Sequence, residues 1–305
     1  MLKKLKELDF VKSYKITSLI AIVFMAVGLI SLLCLPFGVH LFNYDVDFIG
    51  GTTLQYDLHI EVTPEVTKEV SQIFTDTTGM QESSVTKAGD SGTQVLIKCK
   101  ELDSETRDQV FEALREAYNL PEEDTPIKSD YVSASVGSDL RKSAIKASGL
   151  AVLLILIYIT IRFELRSGIA AVCSLVHDLL VMLSIYVIFQ IPFNMNFIAA
   201  ALTILGYSIN ATIVVFDRIR ENKKLYQKAG FSEIVNRSIG QTMGRSINTT
   251  VTTLLAILML VIFGVSSIRT FAIPVCVGVV AGCFSSVFLS GPMWNLLISK
   301  KNQRS

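Results

Sequence analysis

Six apolar segments, each long enough to cross a membrane, constrain this chain more than any other feature of its sequence. Half of the 305 residues are hydrophobic and the mean hydropathy is +0.49, which is high for a soluble domain. About 20 apolar residues cross a hydrocarbon layer about 30 Å thick. We therefore predict an all-α six-helix membrane bundle, with apolar segments at residues 16–39, 143–161, 168–189, 193–216, 246–263 and 270–298.

The positions of Lys and Arg predict the orientation of the bundle. The basic flanks lie at residues 1–15, 162–166, 218–245 and 300–305. Because Lys and Arg are enriched in cytoplasmic flanks, both chain ends are predicted to be cytoplasmic. The uncharged run at 16–39 is too long for the apolar part of a signal peptide, so we expect it to remain as the first span. The predicted organisation is an N-terminal flank (1–15), a first span (16–39), an extracytoplasmic region (40–142), five further spans (143–299) and a tail (300–305).

The extracytoplasmic region has the pattern of a small α+β domain. A period of two, typical of a strand with one buried face, runs through Leu54, Tyr56, Leu58 and Ile60. Thr63 and Asp103 are the predicted N-caps of two helices. Further strands are predicted near residues 82–86, 95–99 and 127–132. The resulting order βαββαβ favours a ferredoxin-like layer.

Composition excludes several kinds of site in this chain. Between residues 52 and 135 the chain has 17 acidic and 7 basic residues, so we expect a solvated surface and no nucleic-acid partner. The five cysteines are scattered, and no Cys or His spacing indicates a metal site. We therefore predict no metal, no cofactor and no catalytic residues.

Polar side chains crowd into the fourth apolar segment. Ser208, Asn210 and Thr212 lie in a stretch that is otherwise suited to lipid. In hydrocarbon each of these groups needs a hydrogen-bond partner, so this part of the helix is expected to face protein or water.

The fifth segment carries a second polar face. Arg245, Thr249 and Thr252 recur at spacings of three and four residues, which places them on one side of a helix. We expect this face and the polar face of the fourth segment to meet in the interior of the bundle.

The third segment carries His177 and Asp178 near its middle. An ionised Asp at the centre of a membrane helix costs about 2.5–3.5 kcal/mol on insertion scales. Asp178 is therefore expected to pair, to face a water-filled cavity or to bind a proton. Two interpretations stay open, a polar clasp between helices and a proton or ion relay.

Three runs of residues are typical of one family of membrane proteins. The run at 206–222, which includes Gly206, Asp217 and Arg218, resembles the fourth-span signature of the SecF family, membrane subunits of the bacterial protein-export machinery. The run at 45–52 resembles the family's GIDFxGGT motif and includes Asp47, Gly50 and Gly51; the run at 131–141 resembles its VGPSVGxEL segment. The resemblance covers nearly the whole chain.

The resemblance has one consequential departure, at Ala211. The family typically has Asp there, and the resemblance implies that this Asp takes up protons while an Arg at the position of Arg245 regulates it. Ala211 cannot ionise or pair with Arg245, and the neighbouring amide of Asn210 does not titrate. The chain is thus either a natural member without that carboxylate or a deliberate Asp→Ala variant.

The resemblance implies both an architecture and partners. In the resistance-nodulation-division (RND) superfamily, six spans with a large outer loop form half of a twelve-span unit, and a SecD-like subunit forms the other half. The implied partners are that subunit, the SecYEG channel, YajC, exported preproteins and membrane lipid. The implied location is the bacterial cell membrane, and the implied function is assistance to protein export driven by the proton gradient, although Na⁺ is an alternative coupling ion.

Two other functions are considered beside this one. A scaffold subunit without its own proton relay is favoured by Ala211. An intramembrane aspartyl protease using Asp178 and Asp217 requires both carboxylates at one depth, where they would share a water molecule. The sequence instead predicts Asp217 at the membrane interface.

Overall fold

Six helices of the described chain are long and apolar enough to cross a membrane, which confirms the predicted six-helix bundle. The computed structural model describes residues 9–38, 41–81, 83–89 and 91–302. The outer parts of the predicted flank and tail, 1–8 and 303–305, lie outside the described residues, as do 39, 40, 82 and 90. In chain order the helices are α1 (Phe10–Cys34), α2 (Val46–Ile49), α3 (Pro64–Thr78), α4 (Ser104–Tyr118), α5 (Ala134–Arg162), α6 (Leu165–Ile188), α7 (Met195–Leu225), α8 (Phe231–Phe263), α9 (Ser266–Ser285) and α10 (Gly291–Asn302).

The spans are α1, α5, α6, α7 and α8, followed by α9 and α10 together as the sixth. Helices suit these segments because a helix satisfies its own backbone polar groups where no water is present. The fourth and fifth spans continue well beyond their apolar segments, so most of the basic stretch 218–245 is helical rather than a loop. Only residues 226–230 connect these two helices.

The sixth span changes helix type in its second half. A π-helical turn, Ser286–Ser290, joins α9 to α10. Pro292 follows two residues later and has no N–H with which to continue an α-helical ladder. Turns of this kind are found mostly as single bulges in α-helices, frequently at functional sites.

The α+β domain (residues 51–132) confirms the predicted ferredoxin-like layer. Its strands are β1 (Gly51–Asp57), β2 (Ser83–Ala88), β3 (Gln94–Cys99) and β4 (Lys128–Val132). They form an antiparallel sheet in the order β2-β3-β1-β4. Side chains of α3 and α4, including Phe74 and Leu114, bury one face of this sheet against Leu54 and Ile97.

The predicted caps form, whereas one strand ends earlier than expected. The hydroxyl of Thr63 accepts a hydrogen bond from the N–H of Val66, and the carboxylate of Asp103 accepts one from the N–H of Thr106. The strand predicted through Ile60 stops at Asp57. His59 lies beyond it with φ 55°, and its Nε2 is 2.7 Å from Oδ2 of Asp124.

The α+β domain lies at one end of the bundle, and the described chain ends lie at the other. At the domain's end, the backbone N–H of Asp45 bonds the carbonyl of Phe193, which precedes the fourth span. At the opposite end, the amide of Asn236 donates to Asp9 and the hydroxyl of Ser232 donates to Asn295. The even number of spans thus brings residues 9 and 302 to the same end.

Small residues let the sixth span approach the fourth. A Cβ placed on Gly278 would overlap the side chain of Ile204, and one on Gly282 would lie 3.1 Å from Cβ of Ser208. Their spacing is a small-xxx-small motif, which permits close helix packing in membranes. In this chain the motif serves packing between its own spans.

We predict that Gly278→Ala destabilises the protein because the new methyl group overlaps Ile204, which is fully buried. Overpacking of this kind costs about 1–3 kcal/mol. Thermal unfolding of the detergent-solubilised chain should show a lower midpoint. The matched control is Gly149→Ala, whose Cβ would meet no atom within 4 Å. Equal midpoints for the two variants would contradict this account of the helix contact.

Candidate functional site

The carboxylate of Asp178 is the polar centre of the bundle. It lies in the third span with 0% exposure. Its Oδ2 accepts hydrogen bonds from the hydroxyls of Ser208 in the fourth span and Ser285 in the sixth, the latter at 2.8 Å. One side chain therefore bonds to groups on two other spans.

The ring of His177 completes this cluster. Its Nδ1 is 2.9 Å from Oδ1 of Asp178, and its other nitrogen, Nε2, is buried with no hydrogen-bond partner among the described residues. The ring is 5% exposed and lies 6.0 Å from the ring of Phe284. No Lys or Arg in the described chain forms an ion pair with Asp178.

This arrangement has a chemical consequence. A buried carboxylate without a cationic partner is stable only if hydrogen-bond donors or a proton compensate its charge. Here the two hydroxyls supply donors, and the imidazole supplies a third when its Nδ1 carries a proton. Binding or loss of a proton would change which of these groups donates, and it would do so at the contact of three spans. We refer to His177, Asp178, Ser208 and Ser285 as the carboxylate cluster.

The local structure explains how the cluster forms. Gly282 removes the side chain that would hold the sixth span away from Ser208. Ser285 is the last residue of α9, directly before the π-helical turn. The sequence prediction included Asp178 and Ser208 but missed Ser285. The signal for it was the pair of serines at 285 and 286 in an otherwise apolar segment.

The fourth and fifth spans do meet through polar groups, although not through all those predicted. The hydroxyl of Tyr207 donates to the hydroxyl of Thr250 at 3.0 Å. The buried polar face of the fifth span consists of Ser238, Thr242, Ser246 and Thr250, each four residues from the next.

The prediction that Asn210, Arg245 and Thr249 lie inside the bundle is wrong for this chain, because all three are exposed. The fifth span has polar residues on more than one side, and the side at 242, 246 and 250 is the one that packs inward. Asn248 and Thr252 are exposed as well. Together with Asn210, Arg245 and Thr249 they form what we call the exposed polar stripe. Ala211 lies beside it, half-buried.

Asp217 and Arg218 lie near the far end of the fourth span. Asp217 is 45% exposed and is 3.4 Å from the guanidinium of Arg162. Arg218 pairs with Glu221 at 2.6 Å. Ser208 bonds to Asp178, and Asp217 lies nine residues after Ser208 on the same helix. Nine residues correspond to about 13 Å along the helix axis. The two carboxylates therefore cannot share a water molecule, which contradicts the aspartyl protease hypothesis.

The glycine motif lies where the α+β domain joins the bundle. Gly50 and Gly51 have φ values of 80° and 135°, in a region that only glycine adopts readily. Asp47 accepts a hydrogen bond from the N–H of Met195 at the start of the fourth span. Gly206 is exposed, and a Cβ there would meet no atom within 4 Å. No group of three or more metal-ligating side chains occurs among the described residues.

Comparison with known proteins gives a consistent result. The family described as "Protein export membrane protein SecD/SecF, C-terminal" matches residues 112–300. The protein translocase subunit SecF of Rickettsia bellii is 34% identical over 306 residues, covering 98% of this chain and 96% of that protein. SecF of Sebaldella termitidis is 40% identical over 261 residues, covering 84% of this chain and 82% of that protein.

Solved structures of a longer relative have the same fold. The crystal structure of SecDF, a translocon-associated membrane protein from Thermus thermophilus, matches with a TM-score of 0.83 at 31% identity. A structure of SecDF in a super-membrane-facing form matches with a TM-score of 0.67. Each match covers 97% of this chain and 39% of the SecDF chain, so this chain spans about two fifths of that protein.

We predict that Asp178→Ala lowers the stability of the solubilised protein far more than Asp217→Ala. The first change leaves the buried hydroxyl of Ser208 without its acceptor, at about 1–3 kcal/mol for an unsatisfied group. It also leaves the hydroxyl of Ser285 with only the carbonyl of Gly282 as acceptor. The second removes an exposed ion pair worth less than about 1 kcal/mol. Thermal unfolding in detergent measures both. Similar losses for the two variants would show that Asp178 does not hold the spans together.

Proposed function

Because the chain belongs to the SecF family of protein translocase subunits, we propose that it is the SecF-type half of a complex that assists protein export. In this proposal the proton gradient drives the complex in the bacterial cell membrane. A SecD-like subunit is its direct partner, and SecYEG, YajC and the exported preprotein complete the assembly. Both chain ends are cytoplasmic, and the α+β domain lies outside, where the preprotein emerges.

The observation that carries the proposal is the carboxylate cluster, together with Ala211. Residue 211 cannot bind a proton, whereas Asp178 is a carboxylate bonded by two other spans. We assign the coupling role to Asp178. Protonation would remove its charge and weaken its hold on Ser208 and Ser285, because hydrogen bonds to an ionised acceptor are about twice as strong as neutral ones. The third, fourth and sixth spans would then repack.

The exposed polar stripe supports a SecD-like partner. Asn210 and Arg245 lie on membrane-length helices, where lipid cannot supply hydrogen bonds. Arg245 lies directly before the apolar segment 246–263 and forms no ion pair within the described chain, and an unpaired cation this close to hydrocarbon is costly. A second polar-faced bundle that covers the stripe would satisfy both groups, and Arg245 would then pair with an acidic group of that partner.

The main test measures proton-driven export into vesicles that contain this chain, its SecD-like partner and the SecYEG channel. We expect Asp178→Asn to abolish the stimulation by a proton gradient, because an amide does not titrate. Asp217→Asn should retain it. A proton gradient should stimulate export even when no Na⁺ gradient is imposed, since the proposed coupling ion is H⁺. Full stimulation with Asp178→Asn would refute the coupling role of Asp178.

Ala211→Asp separates the proposed function from the scaffold alternative, which the missing carboxylate at 211 favours. If the unmodified chain is a scaffold, it gives no proton-driven stimulation, and Ala211→Asp supplies it. If Asp178 is the coupling group, the unmodified chain is already active and Ala211→Asp changes the stimulation by less than about twofold.

We predict that Arg245→Ala weakens association with the SecD-like partner. Loss of a desolvated charge pair at an interface costs about 2–5 kcal/mol, which is at least a tenfold change in affinity. Co-purification of tagged partner from detergent measures this loss. Arg141→Ala, which removes an exposed Arg at the start of the second span, is the control. Unchanged recovery with Arg245→Ala would argue that the stripe does not contact the partner.

A further inference from the structure

The α+β domain is joined to the bundle by two covalent links that lie side by side. Gly50 alone separates α2 from β1, and Ser133 alone separates β4 from α5. The strands β1 and β4 are neighbours, and Gly51 pairs with Val132. Two adjacent links define an axis, and by themselves they would leave the domain free to rotate about it.

An ion pair provides a third attachment away from that axis. Lys98 lies on β3, which pairs with β1 on the side opposite to β4. Its Nζ is 2.9 Å from Oδ1 of Asp45. The Lys98 and Asp45 side chains are only 22% and 15% exposed, so solvent screens this pair less than the surface pairs of the domain.

Asp45 is in turn fixed to the fourth span. Its second oxygen, Oδ2, accepts a hydrogen bond of 3.2 Å from the amide of Asn194, the N-cap of α7. The backbone N–H of Asp45 bonds the carbonyl of Phe193, and the N–H of Phe193 bonds the carbonyl of Asn43 at 2.7 Å. One carboxylate therefore connects β3 of the domain to the start of the fourth span.

The backbone around Asp45 is closely packed. A Cβ on Gly50 would lie 2.6 Å from Cα of Ala134, and one on Gly137 would lie 2.9 Å from the backbone nitrogen of Gly50. Phe48 of the short helix α2 packs its ring 5.9 Å from that of Phe193. The joint is thus wedged between the starts of the second and fourth spans.

The charge state of Asp45 suits a lasting ion pair. Burial acts to raise the pKa of Asp45, but the Lys98 ammonium and hydrogen bonds from Val46 and Asn194 outweigh it and lower this pKa below its usual value. The carboxylate therefore stays ionised at neutral pH, and the pair weakens only as pH falls through that lowered value.

From these contacts we infer that Asp45 and Lys98 are positioning residues that lock the α+β domain to the fourth span. When the fourth span tilts, the α+β domain moves with it as one rigid body instead of rotating about its two covalent links. The role of this lock in export rests on the proposed function, in which the lock transmits motion of the fourth span to the domain that meets the preprotein. The lock itself is a property of this chain alone.

Distance measurement between spin labels tests the lock in the full-length chain in lipid. The five native cysteines are replaced, and labels are attached at Glu116→Cys in α4 and Ile188→Cys at the end of the third span, both of which are exposed positions. The unmodified pair should give a narrow distance distribution. Lys98→Met should broaden it at least twofold, and Lys98→Arg should keep it narrow.

Matched controls separate a specific lock from general loosening. Lys87→Met removes the exposed pair of Lys87 with Glu61 in the same domain, and it should leave the distribution narrow. Asp45→Asn keeps an acceptor for the amide of Asn194 but removes the charge that pairs with Lys98. This variant should broaden the distance distribution as Lys98→Met does. A narrow distribution in both Asp45→Asn and Lys98→Met, or equal broadening with Lys87→Met, overturns the inference.

The same variants in the export assay keep this inference distinct from the proposed function. Lys98→Met should reduce proton-driven stimulation at least fivefold, and Lys98→Arg should restore it. An unmodified chain without any stimulation would contradict the proposed function while leaving the distance result intact. Broadened distances with undiminished stimulation would overturn the positioning role.

Discussion

The packing of the bundle depends on how the buried carboxylate of Asp178 is satisfied by hydrogen bonds. Asp178 is fully enclosed, so neither bulk water nor lipid contacts its carboxylate. The hydroxyls of Ser208 and Ser285 do so from two other spans. Gly282 of the sixth span serves the same contact, because a side chain at this position would press against Ser208. A carboxylate that is this costly to bury in its ionised form is a suitable site for binding a proton.

Polar groups that the bundle does not satisfy are as informative as those it does. Asn210 and Arg245 lie on the outer side of the fourth and fifth spans, next to Ala211. Within the described part of the chain no side chain bonds to the side chains of these two residues, so a six-span unit by itself is chemically incomplete on that side. Members of the SecF family are translocase subunits, and the solved relative SecDF is a chain of which this one covers only two fifths. The missing hydrogen-bond partners thus agree with a second half-transporter at this surface.

The fourth span contributes a residue to the carboxylate cluster, to the exposed polar stripe and to the joint with the α+β domain. The fourth span carries Ser208 at the carboxylate cluster, Asn210 at the exposed stripe and Asn194 at the joint. A helix is stiff over this length because each turn is bonded to the next. In the proposed function, a change of protonation at Asp178 reaches Asp45 through this helix, by way of Ser208 and Asn194.

The sequence by itself determined the elements. Apolar length gave the six spans, a period of two gave β1, and Thr63 and Asp103 marked the starts of α3 and α4, because these signals are local and depend only on neighbouring residues. Tertiary structure alone decided which polar groups meet. The fifth span has hydroxyls on several sides, so periodicity did not reveal that Thr250 faces inward while Arg245 faces outward. Ser285 joins Asp178, and Lys98 joins Asp45, across separations that no local pattern encodes. Helix rotation and strand pairing set these contacts, since both are fixed by packing over the whole chain.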